Sequence, residues 1–301
     1  MLRRVPCEHG GVDAVEITDS HVVDVAGMPV RRALPRRARR TVGAWCFIDH
    51  MGPLSVTEDG AMQIGPHPHT GLQTVTWLIS GEVVHRDSLG SEQSIRPGQL
   101  NLMTAGLGVS HAEQTNAEYR GSVQGLQMWI AQPEGTRGGA AEFAHYGDLG
   151  VVELGAGDGT VIMGEFAGQT SPARHDTQLV GVDLDLKRGQ SAFGINPNFE
   201  HAIVLLEGSL KVEDAIVLPG SLAFLGTGRD ELELTVEQPT RAMLVGGVPF
   251  EEQLVMWWNF VARTREEISA AYEQWRDSDE RFGSVASSLA RIAIAPPPWM
   301  T

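Results

Sequence analysis

An internal repeat of a short β pattern constrains the fold of this 301-residue chain more than any other feature. Segments 95–106 (IRPGQLNLMTAG) and 217–228 (VLPGSLAFLGTG) share a Pro-Gly pair, a following leucine and a final glycine, 122 residues apart. Upstream, two strand-like segments end at Gly81 and Gly208, 127 residues apart. Repetition at this distance indicates two similar β domains. A chance match of Pro-Gly turns stays open as the alternative, because such turns are common in all-β proteins.

The residue pattern between the turns favours strands. Segments such as 72–79 (LQTVTWLI) and 201–206 (HAIVLL) are short and rich in β-branched and apolar residues, and turn residues bound them. The 35 glycines and 16 prolines supply many such boundaries. We therefore predict an all-β protein of the sandwich or barrel class.

One helix is expected near the C-terminus. Thr264 and Glu267 have the spacing of a capping box, and Ile268, Tyr272 and Trp275 follow as an apolar stripe. Such a stripe predicts a helix that docks on the β body and carries no chemistry.

Composition narrows the partners. The formal net charge of −15 argues against binding to nucleic acids or to anionic membrane surfaces, because attraction to phosphate groups needs a basic face. Only Cys7 and Cys46 are present, so a disulfide framework is excluded. No long apolar stretch or signal-peptide core occurs, so we expect a cytoplasmic protein. We also expect a monomer.

Two pairs of polar residues have the spacing of metal ligands. His67 and His69 are two residues apart in GPHPHTG, and so are His111 and Glu113 in VSHAEQ. Residues i and i+2 of a strand lie on the same face, so two strands can converge three imidazoles and a carboxylate on one cation. Pro68 has no backbone donor, which predicts that the first pair lies at a strand start, an edge or a bulge.

The order of these motifs resembles the pirin family of the cupin superfamily. The resemblance rests on HPHTGLQTVTWLISG, then HRDSLG, then RPGQLNLMTAGLGVSHAE, and it is most specific from about Gly43 to Pro133. It implies two tandem cupin (jelly-roll) barrels and a C-terminal helix. The expected domains are residues 1–135, which bind metal, and residues 136–301, which do not and which end in the docking helix.

The resemblance also implies the chemistry of the site. His67, His69, His111 and Glu113 would hold one divalent metal ion, with iron the first choice and nickel, manganese, copper or zinc also compatible. Glu113 would be the catalytic base. The ligand positions map by the repeat onto Gly194, Asn196, Glu233 and Thr235, which do not form a comparable ligand set.

Three further residues in these motifs, His85, Asp87 and Gln73, are candidates for positions behind the metal ligands. His85 and Asp87 in HRDSLG could form a supporting pair behind the ligands, although core packing explains them equally simply. Gln73 replaces the usual cupin glutamate, and Thr70 and Leu107 replace charged residues of many pirins. A neutral amide at position 73 cannot act as a base.

Two functions remain open on the sequence. The resemblance implies a quercetin 2,3-dioxygenase-like oxidoreductase acting on flavonol-like or other enolisable aromatic molecules. The alternative is a non-catalytic, metal-bearing regulator that binds a transcription factor or a metabolic enzyme. The cluster of six arginines between Arg31 and Arg40 would serve such a partner, but a solvated hairpin with internal ion pairs explains it too.

Overall fold

The computed structural model describes residues 2–5, 14–56, 62–116 and 118–300, and β strands dominate them. Up to residue 131 the strands are β1 (Leu2–Val5), β2 (Val15–Asp19), β3 (His21–Val25), β4 (Met28–Leu34), β5 (Trp45–Ser55), β6 (Gln63–His69), β7 (Leu72–Ser80), β8 (Val83–Asp87), β9 (Glu92–Ile95), β10 (Leu100–Thr104), β11 (Val109–Thr115) and β12 (Ser122–Ala131). After residue 131 they are β13 (Glu142–Tyr146), β14 (Val151–Glu153), β15 (Gly157–Phe166), β16 (Gln169–Thr170), β17 (Leu179–Leu186), β18 (Gly189–Gly194), β19 (Glu200–Glu207), β20 (Leu210–Val212), β21 (Ala215–Val217), β22 (Ser221–Gly226), β23 (Glu231–Val236), β24 (Thr240–Gly247), β25 (Val255–Trp257) and β26 (Phe260–Ala262). The all-β prediction is confirmed.

The chain folds into two compact units, and each unit draws on separate parts of the sequence. The histidine unit comprises residues 24–29, 51–145 and 251–301, and the companion unit comprises residues 1–23, 30–50 and 146–250. This division differs from the two contiguous halves expected from the sequence. The repeat marks where each β pattern begins, but it carries no information on which unit the flanking segments join.

The histidine unit is built from two main sheets. The larger has the strand order β13-β10-β7-β12 and continues into β5, and the smaller has the order β6-β11-β8-β9. Strand β6 is therefore an edge strand, as the proline between its histidines predicted. All the histidines of the candidate site lie on the smaller sheet.

The companion unit has a related design. Its larger sheet runs β1-β2-β22-β19-β24-β17-β15-β14, and its smaller sheet runs β18-β23-β20-β21. Apolar side chains from both sheets form one buried cluster, among them Val182 and Leu205 of the larger sheet and Phe193 and Leu234 of the smaller. Shared burial of this kind is what holds two sheets face to face.

The predicted helix is present as α1 (Arg265–Arg276), followed by a short 3-10 turn at Glu280–Phe282. Ile268, Tyr272 and Trp275 are buried in a cluster with Phe260 and Phe282. The helix belongs to the histidine unit and not to the C-terminal barrel with which the sequence had grouped it. Burial of each such side chain contributes about 1.5–3 kcal/mol to stability.

The helix start departs slightly from a capping box. Thr264 is the N-cap, and its Oγ1 accepts from the backbone N–H of Glu267 at 3.2 Å. The Glu267 carboxylate accepts from the N–H of Arg263 at 2.9 Å, one residue before the cap, and also from the guanidinium of Arg137. The carboxylate thus ties the helix start to the loop after β12.

Internal contacts engage part of the arginine cluster. Arg32 forms a two-pronged ion pair with Asp49, with distances of 2.8 and 2.7 Å. Arg39 pairs with Glu16 at 2.9 Å and lies over the ring of Phe224. These contacts favour the hairpin interpretation of the cluster.

The described residues also bear on the expectations about membrane-spanning segments and cysteines. None of the helices in the described residues is long and apolar enough to cross a membrane. Cys46 is a buried thiol, and Cys7 lies outside the described residues.

Replacing Thr264 by alanine is expected to destabilise the histidine unit by about 1 kcal/mol, because the N–H of Glu267 loses its acceptor. Urea unfolding followed by tryptophan fluorescence measures the change, and Thr264→Ser is the control that keeps the oxygen. Equal unfolding midpoints for Thr264→Ala and Thr264→Ser would show that this cap does not stabilise the helix.

Candidate metal centre

Three adjacent strands of the smaller sheet carry the candidate ligands. Strand β6 ends in His67 and His69, and antiparallel β11 places His111 opposite His67. The register between β11 and β6 shifts between His111 and Glu113, where β6 contains one more residue than β11. On the other side of β11, β8 places His85 opposite Glu113. The strand pairing thus brings together residues that are up to 46 positions apart in sequence.

The imidazoles of His67, His69 and His111 converge in the buried interior. Their ring centroids lie 4.3–5.1 Å apart, and the Nε2 atoms of His69 and His111 are separated by 2.9 Å. Two nitrogen lone pairs at this distance repel each other unless a proton or a cation lies between them. Two nitrogens bound to one ion at about 2.1 Å and at right angles are about 3 Å apart, so the spacing fits a shared metal.

The backbone around Gly65 orients His67. Its Nδ1–H donates to the carbonyl oxygen of Gly65 at 2.9 Å, which leaves Nε2 with a free lone pair. The neighbouring carbonyl of Pro66 accepts from the N–H of Ile292 at 2.9 Å, so the C-terminal segment binds the edge strand. Gly65 has no room for a Cβ, because the carbonyl of Ala290 packs directly against it.

A hydrogen-bonded chain behind His111 fixes its tautomer. Asp87 accepts backbone N–H bonds from Leu89 and Ser91, and its other oxygen lies 3.1 Å from Nε2 of His85. A carboxylate only accepts, so Nε2 of His85 carries a proton, and in a ring with that single proton Nδ1 is an acceptor. That Nδ1 lies 3.3 Å from Nδ1 of His111, which must then donate. The Nε2 lone pair of His111 is thereby presented to His69.

Burial keeps the ligand imidazoles neutral. It lowers the pKa of His67 to about 4, although the hydrogen bond to Gly65 acts in the opposite direction. Burial, reinforced by the other histidines, holds the pKa of His69 and of His111 well below the usual range. Neutral imidazole is the form that binds metals.

Glu113 lies on the His85 side of His111. Its carboxylate forms a group with these two histidines in which the ligand atoms are within 4.8 Å of one another, and His67, His69 and His111 form a second such group. Burial raises the pKa of Glu113, while His85 and the hydroxyl of Thr76 oppose this effect. The two overlapping groups make a His/Glu metal-binding site in the half of the chain where the sequence predicted one.

Of the residues predicted to lie behind the ligands, His85 and Asp87 contact the ligand His111 as a pair, whereas Gln73 lies on another sheet. His85 and Asp87 form the supporting pair described above, and the ring of Phe143 stacks on His85 at 4.3 Å. Gln73 is buried on β7, and its amide donates to Thr104 at 3.0 Å. Leu107 is 59% exposed, and its carbonyl accepts from the guanidinium of Arg281. Arg281 thus brings a cation to a position where the resemblance had led us to expect a charged side chain.

Sequence reasoning missed three residues of this site. Gly65 orients His67, Thr76 lies 3.5 Å from the Glu113 carboxylate, and Phe143 covers His85. Side chains alternate along β7, so Thr74 and Thr76 lie on the same face of the strand. This pattern is only a weak sequence signal that Thr76 belongs to the site. Phe143 comes from a distant strand and gave no signal at all.

Comparison with known proteins assigns the family. The Pirin family model matches residues 27–130, and the model described as the Pirin C-terminal cupin domain matches residues 181–283. The chain belongs to the pirin family. The prediction of two tandem cupin domains is confirmed with it.

Relatives of this pirin extend over most of its length. A Pseudomonas aeruginosa protein named "Putative quercetin 2,3-dioxygenase" is 42% identical over 275 residues, which cover 91% of this chain and 87% of that protein. A pirin-like protein of Caulobacter vibrioides is 32% identical, with coverage of 86% and 92%.

Solved structures match as well. The crystal structure of quercetin 2,3-dioxygenase from Acinetobacter baumannii superimposes with a TM-score of 0.91 at 41% identity, and covers 94% of this chain and 96% of that one. A bacterial pirin from Escherichia coli in complex with nickel(II) matches at 14% identity with a TM-score of 0.62, covering 78% of this chain and 100% of that one. This second match shows the shared fold alone.

Removing one imidazole is expected to cause a large loss of bound metal, because the remaining ligands hold a divalent ion more weakly. Metal content of His67→Ala and His111→Ala, measured by mass spectrometry on purified protein, checks this. His175→Ala, in the companion unit, is the matched control. Unchanged metal content in both ligand variants would contradict the site.

Asp87→Asn is expected to raise the dissociation constant for metal about 10- to 100-fold. The asparagine oxygen can still accept from Leu89 and Ser91, but its NH₂ then faces His85 and reverses both histidine tautomers. The Nε2 of His111 would carry the proton and lose its lone pair.

Chelator competition measures this affinity, and Glu92→Gln, in an exposed ion pair with Arg86 on the neighbouring strands, is the control. Equal affinity in Asp87→Asn and the wild type would rule out the tautomer argument.

Proposed function

We propose that this pirin is a metal-dependent dioxygenase of quercetin-like flavonols or other enolisable aromatic molecules. His67, His69, His111 and Glu113 would hold one divalent metal ion, with iron the first choice and nickel, manganese, copper or zinc compatible with the same ligands. The observation that carries the proposal is the convergence of three buried, neutral imidazoles with Nε2 of His69 and His111 2.9 Å apart.

The names of the relatives support the substrate class. Proteins with 42% and 41% identity over most of this chain are named as quercetin 2,3-dioxygenases, one of them provisionally. Quercetin is a planar polyphenol with adjacent oxygen atoms, so its recognition needs an oxygen-binding centre and a proton acceptor. A metal ion held by the three histidines would supply the first, and Glu113 would supply the second.

A bound metal ion would act as a Lewis acid at which a substrate hydroxyl and dioxygen can meet. Glu113 would accept the hydroxyl proton, because its carboxylate lies in a group with His85 and His111 and burial, by raising its pKa, makes it a stronger base. Asp87, the neighbouring buried carboxylate, is already engaged by His85 and two backbone N–H groups.

The packing around the site would keep water out during the reaction. Trp129 lies with its ring 5.3 Å from that of His69, and Phe143 covers His85. The hydroxyl of Thr76 donates to the side-chain oxygen of Gln127 at 2.9 Å and lies 3.5 Å from the Glu113 carboxylate. The aromatic rings would lower the local dielectric around the proton acceptor.

The regulator hypothesis has less support. Its cues were the arginine cluster and the missing charges at positions 70, 73 and 107, but Arg32 and Arg39 of the cluster are engaged in ion pairs with Asp49 and Glu16. Arg31, Arg37 and Arg40 are exposed and could still contact a protein partner. A centre with reactive ligands favours the enzyme over a purely structural role.

Glu113→Gln is expected to lower turnover about 10²- to 10⁴-fold while metal content falls much less, because three imidazoles still bind the ion and only the base is lost. Metal content and oxygen uptake with quercetin should be measured on the same preparations.

The alternatives separate clearly in this experiment. Wild-type protein loaded in turn with iron, nickel and manganese that consumes no oxygen would favour the regulator. A fully active Glu113→Gln variant would keep the enzyme and remove the role assigned to Glu113.

A further inference from the structure

The companion unit contains a cavity of about 590 Å³ that opens to solvent. Its size falls within the range of about 300–1,000 Å³ that is typical of small-molecule sites. The cavity has no part in the metal centre, whose candidate ligands all lie in the histidine unit.

The repeat relates two lining residues to the candidate ligands. The 127-residue offset places Gly194 and Asn196 at the positions of His67 and His69, and both residues line the cavity. His67 and His69 are buried, whereas Gly194 and Asn196 are exposed.

The inner wall of the cavity is aromatic and aliphatic. Phe166, Phe199 and His201 are buried there, and Leu179 and Val180 add apolar surface. The rings of Phe199 and His201 lie 6.0 Å apart at an angle of 35°. These side chains, each at most 8% exposed, form a buried floor against which an apolar ring can pack.

His201 contributes a neutral polar group to this wall. Burial lowers its pKa to about 4, and Arg229 acts in the same direction while the backbone of Phe199 opposes it. Its imidazole is therefore uncharged at neutral pH. A neutral imidazole can exchange a hydrogen bond with a hydroxyl group.

The rim carries polar side chains, among them the exposed imidazole of His175. Gln178, Asn196 and Thr170 offer amides and a hydroxyl, and Glu165 adds a negative charge. Among the described lining residues there is no lysine or arginine to attract a carboxylate, sulfonate or phosphate. With Glu165 at the entrance, the field disfavours anions.

We propose that this cavity is a second, metal-independent binding site for a neutral, planar, hydroxylated aromatic molecule. The aromatic wall would bind the ring, and His201 and the rim amides would bind the hydroxyl groups. The site stands apart from the proposed dioxygenase function and would exist equally in a non-catalytic protein.

The test uses 2-naphthol, a neutral two-ring phenol, with binding followed by calorimetry and by ligand-observed NMR. Gly194→Phe should weaken binding roughly tenfold or more, because the added ring occupies the volume that buries the ligand. Position 194 accepts a side chain, since the nearest atom to a Cβ there is the carbonyl oxygen of Asp230 at 3.7 Å. Gly138→Phe is the matched control at an open position of the histidine unit.

A second variant guards against a folding defect in the first. Thr170→Trp fills the exposed rim and should weaken binding as well, with the thermal unfolding of both variants checked against the wild type. Removal of metal with EDTA should leave the affinity for 2-naphthol unchanged, and naphthalene-2-sulfonate should bind more weakly than 2-naphthol.

Several outcomes would overturn the proposal. They are the absence of 2-naphthol binding, equal binding by folded Gly194→Phe and Gly138→Phe, and equal binding of the sulfonate. Loss of binding in His67→Ala or after EDTA treatment would instead locate the probe at the metal centre.

Discussion

The site of this pirin depends on holding three neutral, buried imidazoles close together on one small sheet. Nitrogen lone pairs that face each other at 2.9 Å are unfavourable alone, so the surrounding structure must impose the arrangement. It does so through strand pairing, because β11 lies between β6 and β8 and fixes the position of every ligand. A cation at the centre would convert this local repulsion into coordination.

The outer contacts decide which nitrogen of each ring faces inward. For His67 the constraint is the carbonyl of Gly65, and for His111 it is the chain through His85 to Asp87. The C-terminal segment adds to this control, since Ile292 bonds to the edge strand beside His67. The docking helix and the segment after it therefore support the site indirectly, although neither provides a ligand.

The two units use one β pattern in different ways. In the histidine unit, the strand end carries buried imidazoles, whereas in the companion unit exposed Gly194 and Asn196 stand at the corresponding positions and line a cavity. The core of the companion unit remains continuous between its sheets, so loss of the ligands did not require loss of the fold. Divergence after duplication is the simplest account of this difference.

The sequence by itself determined the β class, the repeat, the helix from Thr264 onward and the four candidate ligands, because strand periodicity and turn residues are local properties. Only the tertiary structure decided that the C-terminal helix joins the histidine unit and that Phe143 covers His85. It also decided that Glu113 forms a group with His85 and His111, which shares His111 with the group of His67 and His69. The register shift between β6 and β11 and contacts between distant segments set these positions, and neither leaves a periodic pattern along the chain.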